Sequence, residues 1–198
     1  MQNTVNPFST QFWQAGVFPF QFADETTLET LFRQVVSNRF SQIVGPHGSG
    51  KSTLLQNIAK LATRQGLPVN FALLNSEQRK LPIDFLHGIK NGGEKKLFLL
   101  DGYEQLPLCR RFLLRYQFRN KAAHLVWTTH TPAWFVPVLY KTNPKFECFR
   151  QLAEILLEKQ NVKIDEACLK KVFTESNGNF RDAFMSIYDV FEPDSPMV

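Results

Sequence analysis

Gly45-Pro46-His47-Gly48-Ser49-Gly50-Lys51-Ser52-Thr53 lies between an apolar segment, Phe40 to Val44, and a helix-patterned one carrying Leu54, Leu55, Ile58, Ala59 and Leu61. The run fits GxxxxGK[ST] at every defined position and occupies the strand-to-helix junction that this pattern needs. Its glycines allow the backbone to curl so that successive N–H groups point at phosphate oxygens, and the helix beginning near Lys51 adds its positive end. In this reading residues 45–53 cradle a nucleoside triphosphate, Lys51 reaches its terminal phosphates, and the Ser52 hydroxyl ligates Mg2+. ATP with Mg2+ is the expected ligand, although no motif that would select the base is recognisable.

Working outward, Leu97-Phe98-Leu99-Leu100-Asp101 is an apolar strand ending in an acid. That is the Walker B arrangement, with Asp101 on Mg2+ through water; a strand-end Asp before a glycine can also simply open a turn. Hydrolysis needs a group that orients or deprotonates the attacking water. The position after Asp101 is Gly102, so the nearest carboxylate is Glu104, whose other reading is favourable placement at a helix N-terminus. A further strand, His124 to Trp127, runs into Thr128-Thr129-His130. If it neighbours the Phe40–Val44 strand, Thr129 or His130 stands beside the γ-phosphate and completes the candidate catalytic set.

These motifs resemble the ASCE division of P-loop NTPases, and within it the AAA+ and STAND (NACHT)-like ATPases. GPHGSGKSTLL, FLLDGYEQL and WTTHTP fall in the order Walker A, Walker B, sensor 1. The acid three residues after Asp101 is similar to the NACHT pattern, which implies Glu104 as the catalytic base. Ser176-Asn177-Gly178-Asn179-Phe180-Arg181-Asp182-Ala183 resembles the sensor 2 segment of AAA+ lids, which implies that Arg181 reaches the γ-phosphate. The combination also resembles a bacterial AAA-type ATP-binding family of no established function. The resemblance implies an α/β fold, the P-loop NTPase three-layer α/β/α architecture with a mainly parallel sheet, plus a small C-terminal helical lid. It departs from ring-forming AAA+ proteins because Thr131 to Lys145 contains no arginine. An ABC-type signature is likewise missing between the P-loop and Asp101.

The expected organisation is an aromatic N-terminal arm over 1–26, a P-loop α/β core over 27–144, a helical lid over 145–192 and a tail over 193–198. In the arm, Asn6 to Phe22 reads NPFSTQFWQAGVFPFQF, and Pro7 and Pro19 argue against a helix there. It is either an extended strap over the core or a docking element for a protein partner or a second copy. Thr26 and Glu29 suggest a capping box for a helix with Leu28, Leu31, Phe32, Val35 and Val36. Leu67 to Leu74 reads as a buried strand, Ile83 to Ile89 as a short helix and Asn91-Gly92-Gly93 as a loop. Glu104 to Asn120 reads as one helix. Phe146 to Phe149 reads as a short strand, followed by helices over Gln151–Lys159, Asp165–Glu175 and Asn179–Phe191.

Composition sets the outer bounds. The 198 residues, 43% hydrophobic and 21% charged, suit one sizeable folded core. Nineteen Phe against 3 Trp and 4 Tyr supply mostly core rings that need no polar partner. Cys109, Cys148 and Cys168 form no CxxC pair, and no apolar run approaches the roughly 18 residues of a membrane span. A cytoplasmic location and no membrane partner are the expectations. The net charge of +5 permits a nucleic-acid partner without demanding one. Arg111, Arg115 and Arg119 recur at i, i+4, i+8 beside Arg110, either a solvated face or a phosphate contact. A Mg-dependent ATPase coupled to a partner is the leading function; a nucleotide-gated binding module and a P-loop kinase are the alternatives.

Overall fold

The computed structural model describes residues 15–91, 95–119, 122–158 and 164–191. Much of the aromatic arm (1–14), Gly92 and Gly93 of the Asn91-Gly92-Gly93 loop, Asn120, Lys159 and the tail lie outside the described residues.

Five strands form one sheet: β1 (Phe40–Val44), β2 (Val69–Leu73), β3 (Lys96–Asp101), β4 (Ala123–Thr129) and β5 (Val138–Lys141). Their order is β2-β3-β4-β1-β5, and every pairing is parallel. Parallel strands require crossovers. These are supplied by α2 (Lys51–Arg64), α3 (Ile83–Lys90) and α4 (Leu108–Gln117), while α1 (Leu28–Ser37) precedes β1. The three-layer α/β/α expectation is met. β4 is inserted between β1 and β3, so the ends of all three strands, with their polar residues, share one edge of the sheet.

Alternate faces of the central strands feed two cores, as a period of 2 requires. Ile43, Leu97, Leu99 and Val126 pack with Leu31, Val35, Leu54, Leu55 and Ile58 of α1 and α2. Phe98, Leu100, Leu125 and Trp127 face the other way, onto Phe85, Ile89, Leu114 and Phe118. Fully buried Leu or Ile side chains such as these stabilise by about 1.5–3 kcal/mol each. α5 (Phe146–Glu158), α6 (Glu166–Glu175) and α7 (Phe180–Phe191) close a third cluster around Phe149, Leu156, Leu169, Phe184 and Ile187. No described helix is long and apolar enough to cross a membrane.

Several sequence expectations need correction. The cap of α1 is Thr27, whose hydroxyl accepts the Thr30 N–H at 3.2 Å; Thr26 instead turns its N–H to Asp24, and no capping box with Glu29 forms. β2 is an edge strand with Phe71 and Leu73 exposed, not a buried one. The segment after Asp101 is not one helix: Tyr103–Gln105 make a single 3₁₀ turn, and α4 starts only after Pro107. Proline is acceptable at a helix start but cannot continue one from the preceding turn. Phe146–Phe149 is the first turn of α5 and not a strand. β5 was not foreseen at all.

Candidate functional site

The P-loop leaves β1 at Val44 and enters α2 at Lys51. Gly48 and Gly50 adopt left-handed backbone, with φ of 66° and 86°, which only glycine enters freely. Space is as restrictive as angle. A Cβ on Gly48 would come within 1.6 Å of the Asn179 side chain, and one on Gly45 within 1.9 Å of Thr142 Oγ1. The Ser49 hydroxyl is fixed to Thr142 Oγ1 at 2.6 Å and to the Pro46 carbonyl at 2.8 Å. Thr142, the residue after β5, thus buttresses the loop, and nothing in the GxxxxGK[ST] pattern points to it.

Lys51 is buried, and its ammonium donates to the carbonyls of Gly45 (2.8 Å) and Pro46 (2.7 Å). Burial pushes its pKa below the ordinary lysine value, against the opposing pull of Glu104 and Asp101. Asp101, at the end of β3, is also buried and accepts from Thr128 Oγ1 at 2.5 Å. The same Thr128 oxygen accepts the Gly102 N–H at 2.8 Å. Thr128 therefore fixes both the carboxylate and the chain that follows it, a role the sequence reading did not assign. Its position on β4, two residues before His130, is the signal that could have revealed it.

Gly102 is left-handed, at φ 82°, and turns the chain so that Glu104 comes back toward β4. His130 Nε2 lies 3.0 Å from Glu104 Oε1. On its other side, Nδ1 lies 3.2 Å from Lys51 Nζ and 3.0 Å from the Gly45 carbonyl. The tautomer decides the Nδ1 contact: bare, it accepts from Lys51, and protonated, it donates to the Gly45 carbonyl. The Glu104 Oε2 atom is buried without a hydrogen-bond partner among the described residues. The His47 ring lies over His130, centroids 3.8 Å apart. Partial burial, then the neighbouring His130 and Lys51, hold its pKa below the usual imidazole value. Arg111 secures the turn from behind: its guanidinium donates to the carbonyls of Glu104 and Leu106, both at 2.7 Å, and lies over the Tyr103 ring. One member of the basic row is therefore a structural clamp.

These groups line one cavity of about 840 Å³. His47 to Thr53 line it, together with Asp101, Glu104, Thr128 and His130 and with Asn179, Arg181 and Phe184. Phe18 to Gln21 and Leu152 with Leu156 close its apolar end. Gly45 and Pro46 do not line it. Thr129 does not reach the cavity: it is buried, and its hydroxyl donates to the Thr131 carbonyl at 2.9 Å. Arg181 is exposed at the start of α7, and its guanidinium has no hydrogen-bond or ion-pair partner among the described residues. Asn179, the residue before α7, accepts the Arg181 N–H on its Oδ1, while the Phe180 N–H donates to the Gly48 carbonyl at 3.3 Å. The α5–α7 unit thus touches the P-loop directly.

A triphosphate with Mg2+ fits this donor set. The loop has room for backbone approach and none for a Cβ, and an ammonium rests on its own carbonyls. Ser52 and Asp101 both line the cavity and offer the hard oxygens that suit a cation held largely by phosphates and water. No group of three or more His, Cys, Asp or Glu side chains able to cage a metal occurs among the described residues.

No family model and no curated protein matches the sequence. Solved structures do. DnaA from Aquifex aeolicus bound to AMPPCP aligns with TM-score 0.62 and 13% identity, over 90% of this chain and 64% of that one. RuvB from Thermotoga maritima aligns with TM-score 0.58 and 16% identity, over 80% and 57%. Orc1 from Aeropyrum pernix in complex with DNA aligns with TM-score 0.56 and 15% identity, over 81% and 58%. The chain thus spans less than two thirds of each of these proteins. All three are AAA+ P-loop ATPases of the ASCE division, and the fold of this chain is theirs.

Proposed function

We propose that the chain binds ATP with Mg2+ between its P-loop and the α5–α7 unit, and hydrolyses it slowly. The observation that carries this reading is the convergence of Lys51, Asp101, Glu104 and His130 on one glycine-shaped loop inside a single cavity. On binding, Lys51 exchanges the Gly45 and Pro46 carbonyls for the terminal phosphates. Ser52 and Asp101 would hold Mg2+, which would supply neutralisation of the phosphate charge. Glu104 orients a water for attack on Pγ and accepts its proton as the bond from Pγ to the ADP oxygen breaks. His130 holds Glu104 in place, and Arg181, with its head free, swings onto the γ-phosphate. Turnover is slow because no arginine is available in the segment after β4, and arginine fingers contribute about 10³–10⁵-fold where they operate.

One observation favours a second reading, a nucleotide-gated binding module. Glu104 is engaged by His130, a contact that would hold the base away from water if the γ-phosphate did not displace it. The experiment is ATP affinity and phosphate release with Mg2+ for wild type beside Lys51→Ala. Binding that depends on Lys51, with release, supports the ATPase; binding without release supports the module; no binding by wild type overturns both. Repeating the release assay with single-stranded DNA tests the nucleic-acid partner that the positive charge permits. Whether residues 1–26 dock a protein partner or a second copy is tested by their removal.

A further inference from the structure

We infer that Asn57 is a positioning residue that sets the base-side wall of the nucleotide cavity without lining it; the inference rests on the nucleotide-binding reading above. Asn57 lies on α2, one turn past Thr53, and is only 8% exposed. Its carboxamide is fully used. Oδ1 accepts the Phe20 N–H at 3.0 Å, and Nδ2 donates to the carbonyls of Phe18 (3.3 Å) and Thr53 (3.0 Å). One side chain thus offers the arm a donor and an acceptor at residues i and i+2, the pair of bonds an adjacent β-strand would offer. The intervening Pro19 has no N–H to satisfy.

What is gripped is the wall itself. Phe18, Pro19, Phe20 and Gln21 line the cavity, while Asn57 does not. The Phe20 ring lies against the P-loop, where a Cβ on Gly50 would come within 2.9 Å of it. It also meets Phe22 and Tyr140 edge-on, at 5.0 and 5.7 Å. Phe18 packs against the α5–α7 cluster. One turn beyond Asn57, Lys60 Nζ donates to the Gly16 carbonyl at 2.6 Å. The arm is therefore fastened along the same helix that carries Lys51 and Ser52, and the apolar end of the cavity keeps a fixed distance from its phosphate end.

The two ends call on different residues. A nucleoside triphosphate needs both the loop and the arm, whereas a bare triphosphate needs the loop, Asp101 and Arg181 but not the arm. Removing the carboxamide leaves the Phe20 N–H and the Phe18 carbonyl without their partner, so the arm loosens on the base side alone.

The test is calorimetric titration of the full chain with Mg·ATP and with Mg·tripolyphosphate. Wild type is compared with Asn57→Leu, close in volume, and Asn57→Asp, which keeps the acceptor and loses the donor. Asn57→Leu is expected to weaken ATP about tenfold, the loss of roughly one buried hydrogen bond, while tripolyphosphate stays within about twofold of wild type. Equal weakening of both ligands, or no weakening of ATP, overturns the inference, because Asn57 would then support α2 or nothing at the site. Should Asn57→Leu fail to fold, Asn57→Asp carries the same comparison with a smaller expected loss confined to ATP. Failure of wild type to bind ATP sinks the nucleotide reading instead, and is told apart by that control.

Discussion

Nε2 of His130 stands 3.0 Å from Oε1 of Glu104, joining the end of β4 to the 3₁₀ turn that follows β3. The pair gives the carboxylate one partner and leaves its second oxygen unpaired and buried. A water on that free oxygen would complete its hydrogen bonding. Glu104→Gln is expected to reduce phosphate release at least about 100-fold, within the range of a lost general base. ATP affinity should change little. Single-turnover release with a parallel equilibrium titration checks both halves, and retained turnover would remove Glu104 from the mechanism.

Thr128 makes a prediction about stability that Asp101 alone would not. Thr128→Val keeps the shape but strips the Asp101 carboxylate and the Gly102 N–H of a shared partner. Both groups are at the end of a buried strand, so the change should cost about 1–3 kcal/mol. Urea denaturation measures the cost, and the Mg2+ concentration needed for ATP binding should rise with it. An unchanged midpoint would mean that water replaces the hydroxyl without penalty.

Gly48→Ala tests the contact between the P-loop and the α5–α7 unit. Its φ of 66° costs an alanine about 1–3 kcal/mol, and the new methyl would displace Asn179 from its seat before α7. The expected signature is faster amide exchange over residues 180–187 together with weaker ATP binding. Exchange unaltered in that helix would place the seat elsewhere.

His47 should respond to pH in a direction fixed by its surroundings. Burial, His130 and Lys51 lower its pKa, outweighing the acids Glu104 and Asp182 that also face it. Between its folded pKa and the ordinary value of about 6.5, the unfolded chain holds the proton and the folded chain does not. Folding stability contributed here therefore rises with pH across that window and is lost as pH falls through it. The ring is solvent-exposed at the loop, so the slope should be shallow. NMR titration is expected to place its midpoint below 6.5, and bound ATP, bringing negative charge, should raise it. A midpoint above 6.5 without ligand would contradict this electrostatic picture.

The central strands and the glycine-rich loop between β1 and α2 were legible in the sequence because they rest on local signals. Apolar runs marked β1, β3 and β4, and the glycine-lysine pattern marked the loop between β1 and α2. What escaped depended on tertiary partners. Val138–Lys141 is four residues long and follows Pro137, so no alternation could accumulate, and its identity as a strand comes from pairing with β1. Phe146–Phe149 carries two aromatic rings that suit a strand, yet those rings point into the α5–α7 core. Thr26 and Thr27 are equivalent on paper; the Asp24 side chain takes the first N–H and leaves the second threonine as the cap. Thr128, Thr142 and Asn57 reach Gly102, Ser49 and Phe20, which lie 26, 93 and 37 positions away, and no short motif records such pairs.

The arm fastened by Asn57 reaches the α5–α7 core through Phe18, and residues 142–145 tie that same core to β5. With the Phe180–Gly48 bond, these connections make a closed linkage, with fewer independent motions than a domain hung from a single hinge. Any rotation of the helical unit about residues 142–145 must be taken up by the strap as tension or slack. The displacement would then surface at Ala15, on the chain leading to residues 1–14. Mechanically, the cavity is one corner of that linkage, and Ala15 is the described residue at which its movement would leave it.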